Sequence, residues 1–315
     1  MSLSDFATRS QAPAPSPFPD PIPGIIGYGT VNILAGAPGV GKTCLLSTIL
    51  ARLRDGKDIF GAACHAPPAI GFISADRGAA TAWHWLRLAG ADVRFYNLVE
   101  DTEFATIRLR NKFQLVTVVL EGCVEQLALP PGSIVVVDPV TLFMGNPNDY
   151  QGCAIACIEM RRMCHRRQLT MLGTAHASKQ KADSKAQYKR LQDRILGSAA
   201  QLGYGDTQMY LASPEETDEK FHTFLWHPHT SPPQIFPLGR DQHGMFVDWL
   251  EGTRAKEEGK ILAAITEDEA GTSFAEILIK SEVPKTTVFR YLQELMKDGR
   301  ILKVGHGRYR KAPTN

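Results

Sequence analysis

Gly36-Ala37-Pro38-Gly39-Val40-Gly41-Lys42-Thr43 fits the pattern GxxxxGK[ST], directly after the apolar run Val31–Ala35 and at the head of an amphipathic segment. Glycines at this spacing let the backbone fold around phosphate oxygens with its N–H groups pointing inward, and a helix starting there adds favourable dipole potential. The cradle spans Gly36, Ala37, Pro38, Gly39, Val40, Gly41, Lys42, Thr43 and Cys44. Lys42 is expected to reach the β- and γ-phosphates and Thr43 to offer its hydroxyl to magnesium, so ATP and Mg2+ are the expected cofactors. Ser133–Asp138 is an apolar run ending in a carboxylate, which places Asp138 beside the metal at the carboxyl end of a strand. Two further strand ends supply polar groups: Asp76, suited either to orient an attacking water or to cap the helix that follows, and His176, suited either to sense the γ-phosphate or to a structural role. Lys42, Asp76, Asp138 and His176 form the catalytic set.

Elements that could position these groups alternate along the chain. Strands are expected at Val31–Ala35, Ile70–Ser74, Ile134–Val137 and Thr170–Thr174, and helices at Lys42–Leu53, Ala79–Ala89, Phe113–Leu127 and Gln151–Arg167. Short apolar runs separated by longer amphipathic ones imply parallel strands with crossover helices. After about Gly205 the segments Thr207–Leu211, His222–Trp226, Gln234–Pro237 and Phe246–Trp249 read as an antiparallel edge on that sheet. Upstream, proline at every second position from Pro13 to Pro23 excludes helix and central strand and implies an extended arm, free or packed on a neighbouring subunit. The fold class is therefore α/β, with a Pro-rich arm over 1–26, an ATPase core over 27–250 and a small module over 251–315.

Composition narrows the partners. The 315 residues are 43% hydrophobic and 22% charged, which excludes a wholly disordered, collagenous or coiled-coil chain. No apolar run is long enough to span a bilayer and the first residues lack a secretory pattern, so no membrane partner and a cytoplasmic location are expected. The six cysteines show no paired CxxC frame, as suits buried thiols in a reducing compartment. A formal net charge of +2 hides two cationic clusters. Lys179, Lys181, Lys185, Lys189, Arg190 and Arg194 fall within sixteen residues, and Lys285, Arg290, Lys297, Arg300, Lys303, Arg308, Arg310 and Lys311 lie near the C-terminus. Such clustering on an otherwise acidic chain points to a polyanion.

The C-terminal cluster lies on a recognisable pattern. Helices over Glu257–Ile265, Phe274–Lys280 and Lys285–Lys297, a tight turn Ser281–Pro284, and a strand pair Arg300–Val304 and Arg308–Lys311 read as a winged helix-turn-helix. On the third helix Val288, Leu292 and Leu295 recur at core spacing, while Thr286, Arg290, Gln293 and Lys297 share the opposite face. Lys285, Thr286 and Arg290 would enter the major groove of duplex DNA, and Arg308 and Arg310 would meet phosphate.

The order GAPGVGKT, ISADRG, VVVDP, TAHASK, LGSAAQLGYGD resembles RecA-superfamily ATPases of the plasmid RepA type, which are ring-forming hexameric DNA helicases. The resemblance covers roughly Gly27 to Trp249. It implies a RecA-like core, a homo-oligomer, most simply a hexamer, with ATP between subunits, and Asp76, Asp138 and His176 as general base, magnesium contact and sensor. It also implies that the segment Ser178–Ile195 lines a central channel, with Lys179, Lys181, Lys185 and Lys189 tracking single-stranded DNA. Two positions depart from the pattern. Aspartate stands at 76 where the family usually has glutamate, and no Lys or Arg occurs between Lys220 and Arg240, where the family places a trans-acting cation. His227 and His229 occupy that stretch, leaving Arg190 or Arg194 as candidate fingers.

Overall fold

The computed structural model describes residues 17–75, 79–98, 115–144, 150–176, 205–217, 219–228 and 232–312. It divides into two compact units, residues 1–218 with 223–235, and residues 219–222 with 236–315.

The first unit is an α/β layer structure. Its strands are β1 (Val31–Gly36), β2 (Ile70–Ser74), β3 (Arg94–Asn97), β4 (Ile134–Asp138), β5 (Thr170–His176), β6 (Thr207–Ala212) and β7 (His222–Pro228), in the order β3-β2-β4-β5-β1-β6-β7. The strands from β3 to β6 run parallel, and β7 pairs antiparallel with β6. Strands buried on both faces read as continuous apolar runs, and β1, β2 and β6 are buried at every position. Helices α1 (Lys42–Arg54), α2 (Ala79–Ala89), α3 (Glu121–Leu127) and α4 (Tyr150–Arg167) connect the strands. The core gathers Val31, Ile33, Val135, Val137, Met160, Met171 and Tyr210 around the sheet.

Three expectations need correction. The strand at Thr207 belongs to the parallel set, in register with β1 from Asn32↔Thr207 to Gly36↔Leu211, so the antiparallel edge begins one strand later. The helix expected over Phe113–Leu127 is a π-helical turn at Leu115–Leu120 that continues into α3. Residues 17–26 pack on their own chain: Ile22 and Ile26 pair in a bridge and are buried, and the Phe18 ring packs tilted against Tyr28 with ring centroids 5.2 Å apart. Strand β3 has no counterpart among the elements expected from the sequence.

The second unit carries an antiparallel hairpin, β8 (Gln234–Arg240) with β9 (Phe246–Asp248), and then α6 (Trp249–Ala264), following the single-turn α5 (Pro214–Thr217) of the first unit. Trp249 thus opens a helix instead of ending a strand. Beyond it come β10 (Thr272–Ser273), α7 (Phe274–Ser281), α8 (Lys285–Lys297), β11 (Ile301–Gly305) and β12 (Arg308–Lys311), with sheet order β10-β12-β11. Helix α7 starts at a capping box: the Glu276 N–H donates to Ser273 Oγ at 3.3 Å and the Ser273 N–H donates to Glu276 Oε2 at 2.8 Å. The tight turn before α8 buries Val283. Ile261, Ile265, Ile277, Val288, Leu292 and Leu295 make a separate small core.

Candidate nucleotide site and DNA-binding module

The parallel strands end at one edge, and that edge carries the chemistry. Gly36 closes β1, and the loop 37–41 turns back into α1 through Gly39 at φ 82° and Gly41 at φ 108°, a region that glycine enters without steric cost. The Leu45 N–H donates to Gly41 O at 2.9 Å as the helical ladder begins, so the amides of Lys42, Thr43 and Cys44 lie in the first turn of α1. Cys44 packs its side chain into the core and could meet a phosphate only through its backbone. Gly36 has its own requirement: a Cβ there would sit 2.6 Å from Leu211 O.

Lys42 is buried, and its Nζ donates to Gly36 O and Ala37 O, both at 3.0 Å, with His176 Nδ1 at 3.4 Å. The sequence assigned Lys42 and His176 to one site, and the structure brings them together. Across β5, Thr43 Oγ1 donates to Asp138 Oδ2 at 2.7 Å, and Thr174 Oγ1 donates to the other oxygen of the same carboxylate. Strand β5 lies between β1 and β4, so Asp138 reaches Thr43 past it, and Thr174 fixes the carboxylate from below. Sequence reasoning gave Thr174 no role. Its place on the strand was legible, two residues before His176 and on the same side, but its partner was not. The Ala75 N–H donates to Asp138 O at 2.8 Å, which ties the end of β2 beside that carboxylate. Asp76 follows directly and lies outside the described residues, as do Lys179, Lys181, Lys185, Lys189, Arg190 and Arg194.

This donor set fits a magnesium-bound triphosphate. Loop amides, an ammonium, a hydroxyl and a carboxylate converge, and the space off Gly39 is open, with nothing within 4 Å of a Cβ placed there. Among the described residues no group of three or more His, Cys, Asp or Glu is placed to hold a metal by itself.

A family model described as an AAA domain matches residues 2–182, more than half of the chain. The chain belongs to the AAA domain family. Its AAA domain, with the P-loop in place, is a P-loop ATPase domain on a mostly parallel α/β sheet. A second model, the IclR helix-turn-helix domain, matches residues 259–303 and so identifies the C-terminal unit as a helix-turn-helix DNA-binding domain. The solved structure of a KaiC-like protein from the hyperthermophilic archaeon Pyrococcus horikoshii OT3 is similar over 74% of this chain and 97% of that one, at 12% identity and a TM-score of 0.45. No curated protein matches the chain. Among the described residues no helix is long and apolar enough to cross a membrane.

In the helix-turn-helix unit Val288, Tyr291, Leu292 and Leu295 of α8 are buried. Lys285, Thr286, Arg290, Gln293 and Lys297 are exposed, as their spacing required. Arg290 lies over the Tyr291 ring, 5.0 Å from its centroid. On the wing, Arg308 is exposed and anchored, its Nε donating to Ala270 O at 2.7 Å and its Nη2 to Gly271 O at 2.8 Å. Arg310 is half-buried, with its Nε shielded from solvent.

Proposed function

We propose that the protein is an ATP-driven DNA motor of the RepA-like kind, a ring of AAA-domain subunits, most simply a hexamer, that acts in replication or recombination. The observation that carries this reading is the position of His176. It is the last residue of β5, it lies 3.4 Å from Lys42, and the cationic segment Lys179–Arg194 begins three residues later in the chain. A change at the phosphate cradle is thereby felt at the root of the segment proposed to grip single-stranded DNA.

In this mechanism Lys42 and the amides of 39–44 hold the phosphates, Thr43 and Asp138 hold Mg2+, and Thr174 keeps the Asp138 carboxylate oriented. Magnesium, when bound, neutralises charge on the transferring phosphoryl group. Asp76 takes a proton from the attacking water, His176 registers the γ-phosphate, and Arg190 or Arg194 of a neighbouring subunit supplies the trans cation. The winged helix anchors the ring on duplex DNA through Lys285, Thr286, Arg290, Arg308 and Arg310.

A second reading, an ATP-gated DNA-binding regulator or loader, is favoured by one specific feature: β7 carries neither Lys nor Arg, and β8 carries none before Arg240 at its end, so the stretch where the family places a trans-acting cation holds none. Turnover with and without single-stranded DNA, together with strand separation on a forked duplex, distinguishes the two. DNA-stimulated hydrolysis with fork opening supports the motor, and Asp76→Asn should then bind ATP without cleaving it. Hydrolysis indifferent to single strands, with forks left intact, replaces the motor by the regulator.

A further inference from the structure

Helix α8 and the wing enclose an open cleft of about 830 Å³, lined by Phe274, Lys285, Thr286, Phe289, Gly307 and Tyr309. Three of the six are aromatic, and Phe289 is 55% exposed although it sits on the helix meant to read DNA. Its angular position explains this. Val288, Leu292 and Leu295 fill the core, Thr286, Arg290, Gln293 and Lys297 point away from it, and Phe289 lies on the flank between these faces, towards the wing. Gly307, at φ 68° with nothing within 4 Å of a Cβ placed there, leaves the mouth open on the wing side.

The rim decides what the cleft suits. Lys285 stands in its wall and is exposed, Arg290 and Lys297 are exposed further along α8 and Lys303 and Arg308 on the wing, and Glu276 is engaged by Ser273 at the cap of α7. Mostly apolar walls with one lysine among them, on a helix and wing that expose four further cations, match a polyanion that carries an apolar projection. In the major groove that projection is the C5-methyl of thymine, flanked by phosphates. We propose that this cleft receives the edge of a duplex strand and that Phe289 reads a thymine by contact with its methyl group. The inference rests on the reading of this unit as a duplex binder and adds the base it selects.

Full-length protein selects its preferred site from a randomised duplex library, and each thymine of that site is then replaced singly by deoxyuridine, which lacks the methyl group. Wild-type protein should lose about fourfold in affinity at one thymine, the effect of removing one buried methyl. Phe289→Ala should bind thymine and deoxyuridine versions equally, and Phe289→Leu should keep part of the discrimination. Arg308→Ala, on the wing expected to meet phosphate, should weaken every duplex alike. Because Phe289 is more than half exposed, Phe289→Ala is expected to unfold at the wild-type temperature, which separates lost reading from lost structure. Phe289→p-benzoylphenylalanine should photocrosslink to the thymine-bearing strand. Tight site-specific binding with no thymine methyl mattering, or discrimination that survives Phe289→Ala, overturns the proposal while leaving duplex binding intact. A crosslink to a second copy of the chain instead of DNA also overturns it, and failure to bind any duplex overturns the reading of the whole unit.

Discussion

Two glycines of the phosphate loop are required for different physical reasons, and the same substitution should separate them. At Gly36 the added Cβ would lie 2.6 Å from Leu211 O and 3.0 Å from Val40 Cγ1, so it falls about 0.8 Å short of ordinary contact with a backbone oxygen. That carbonyl belongs to the β1–β6 ladder, where Gly36 is in register with Leu211, and moving it disturbs the pairing of two central strands. Gly36→Ala should therefore cost about 2–3 kcal/mol, at the upper end of the range for overpacking. At Gly39 nothing lies within 4 Å, and the only cost in the folded chain is a side chain at φ 82°, about 1 kcal/mol. Urea denaturation of both variants against wild type, at unchanged slope, should put the Gly36→Ala midpoint well below that of Gly39→Ala. Calorimetry with a non-hydrolysable ATP analogue should give the opposite emphasis for Gly39→Ala, which loses more nucleotide affinity than stability because its side chain enters the phosphate space. A Gly36→Ala protein that unfolds at the wild-type midpoint would show that the strands do not approach as described and would remove the packing argument for the start of the loop.

Thr174→Val removes a buried hydroxyl that donates to the Asp138 side chain, and should cost about 1.5–3 kcal/mol in denaturation experiments and weaken nucleotide binding chiefly when magnesium is present. Lys42→Ala should lower ATP affinity at least about a hundredfold, the scale of removing one desolvated, charge-assisted hydrogen bond, as titration calorimetry will register. Burial pushes the Cys157 and Cys164 thiols up to about 12, against an ordinary value of 9.0. The unfolded chain then releases these protons first, so stability is intact below pH 9 and falls as pH rises from there towards 12, which denaturation midpoints at pH 8 and 10.5 will register. Of the six thiols Cys64 alone is not fully buried, and it should be the one that a thiol reagent modifies in folded protein at pH 8.

The parts legible in the sequence were those whose chemistry is local. The P-loop names its own backbone, and the core face of α8 follows from spacing alone, so both could be placed without knowing the fold. Strand direction was lost because alternation of apolar residues carries no arrow. Connection length does: some thirty residues separate His176 from Thr207, enough for a crossover, whereas Ala212 and His222 are joined by nine, which favours reversal. Strand β3 was invisible for another reason. Four partly exposed residues, Arg-Phe-Tyr-Asn, at the sheet's edge lack the apolar continuity that marks β1 or β4. The role of Thr174 needed tertiary knowledge, since only the insertion of β5 between β1 and β4 brings its hydroxyl under Asp138.

That inserted strand also explains how one site can serve two tasks. Thr174 and His176 are two residues apart and face the same side of β5, one holding the carboxylate and the other beside the lysine, so β5 touches both halves of the nucleotide cradle. Some thirty residues further along the chain, Asp206 accepts from the Val31 N–H at 2.9 Å and from Arg161 at 2.8 and 3.2 Å. The residues that bracket the cationic segment are thus fastened to opposite ends of the P-loop strand, His176 beside Lys42 and Asp206 at Val31. Only the His176 end lies at the catalytic edge. The Asp206 end is held by a backbone donor and a two-nitrogen guanidinium contact, neither of which answers to what Lys42 binds. On the motor reading, a change of nucleotide therefore enters the segment from its Lys179 end and not from its Arg194 end.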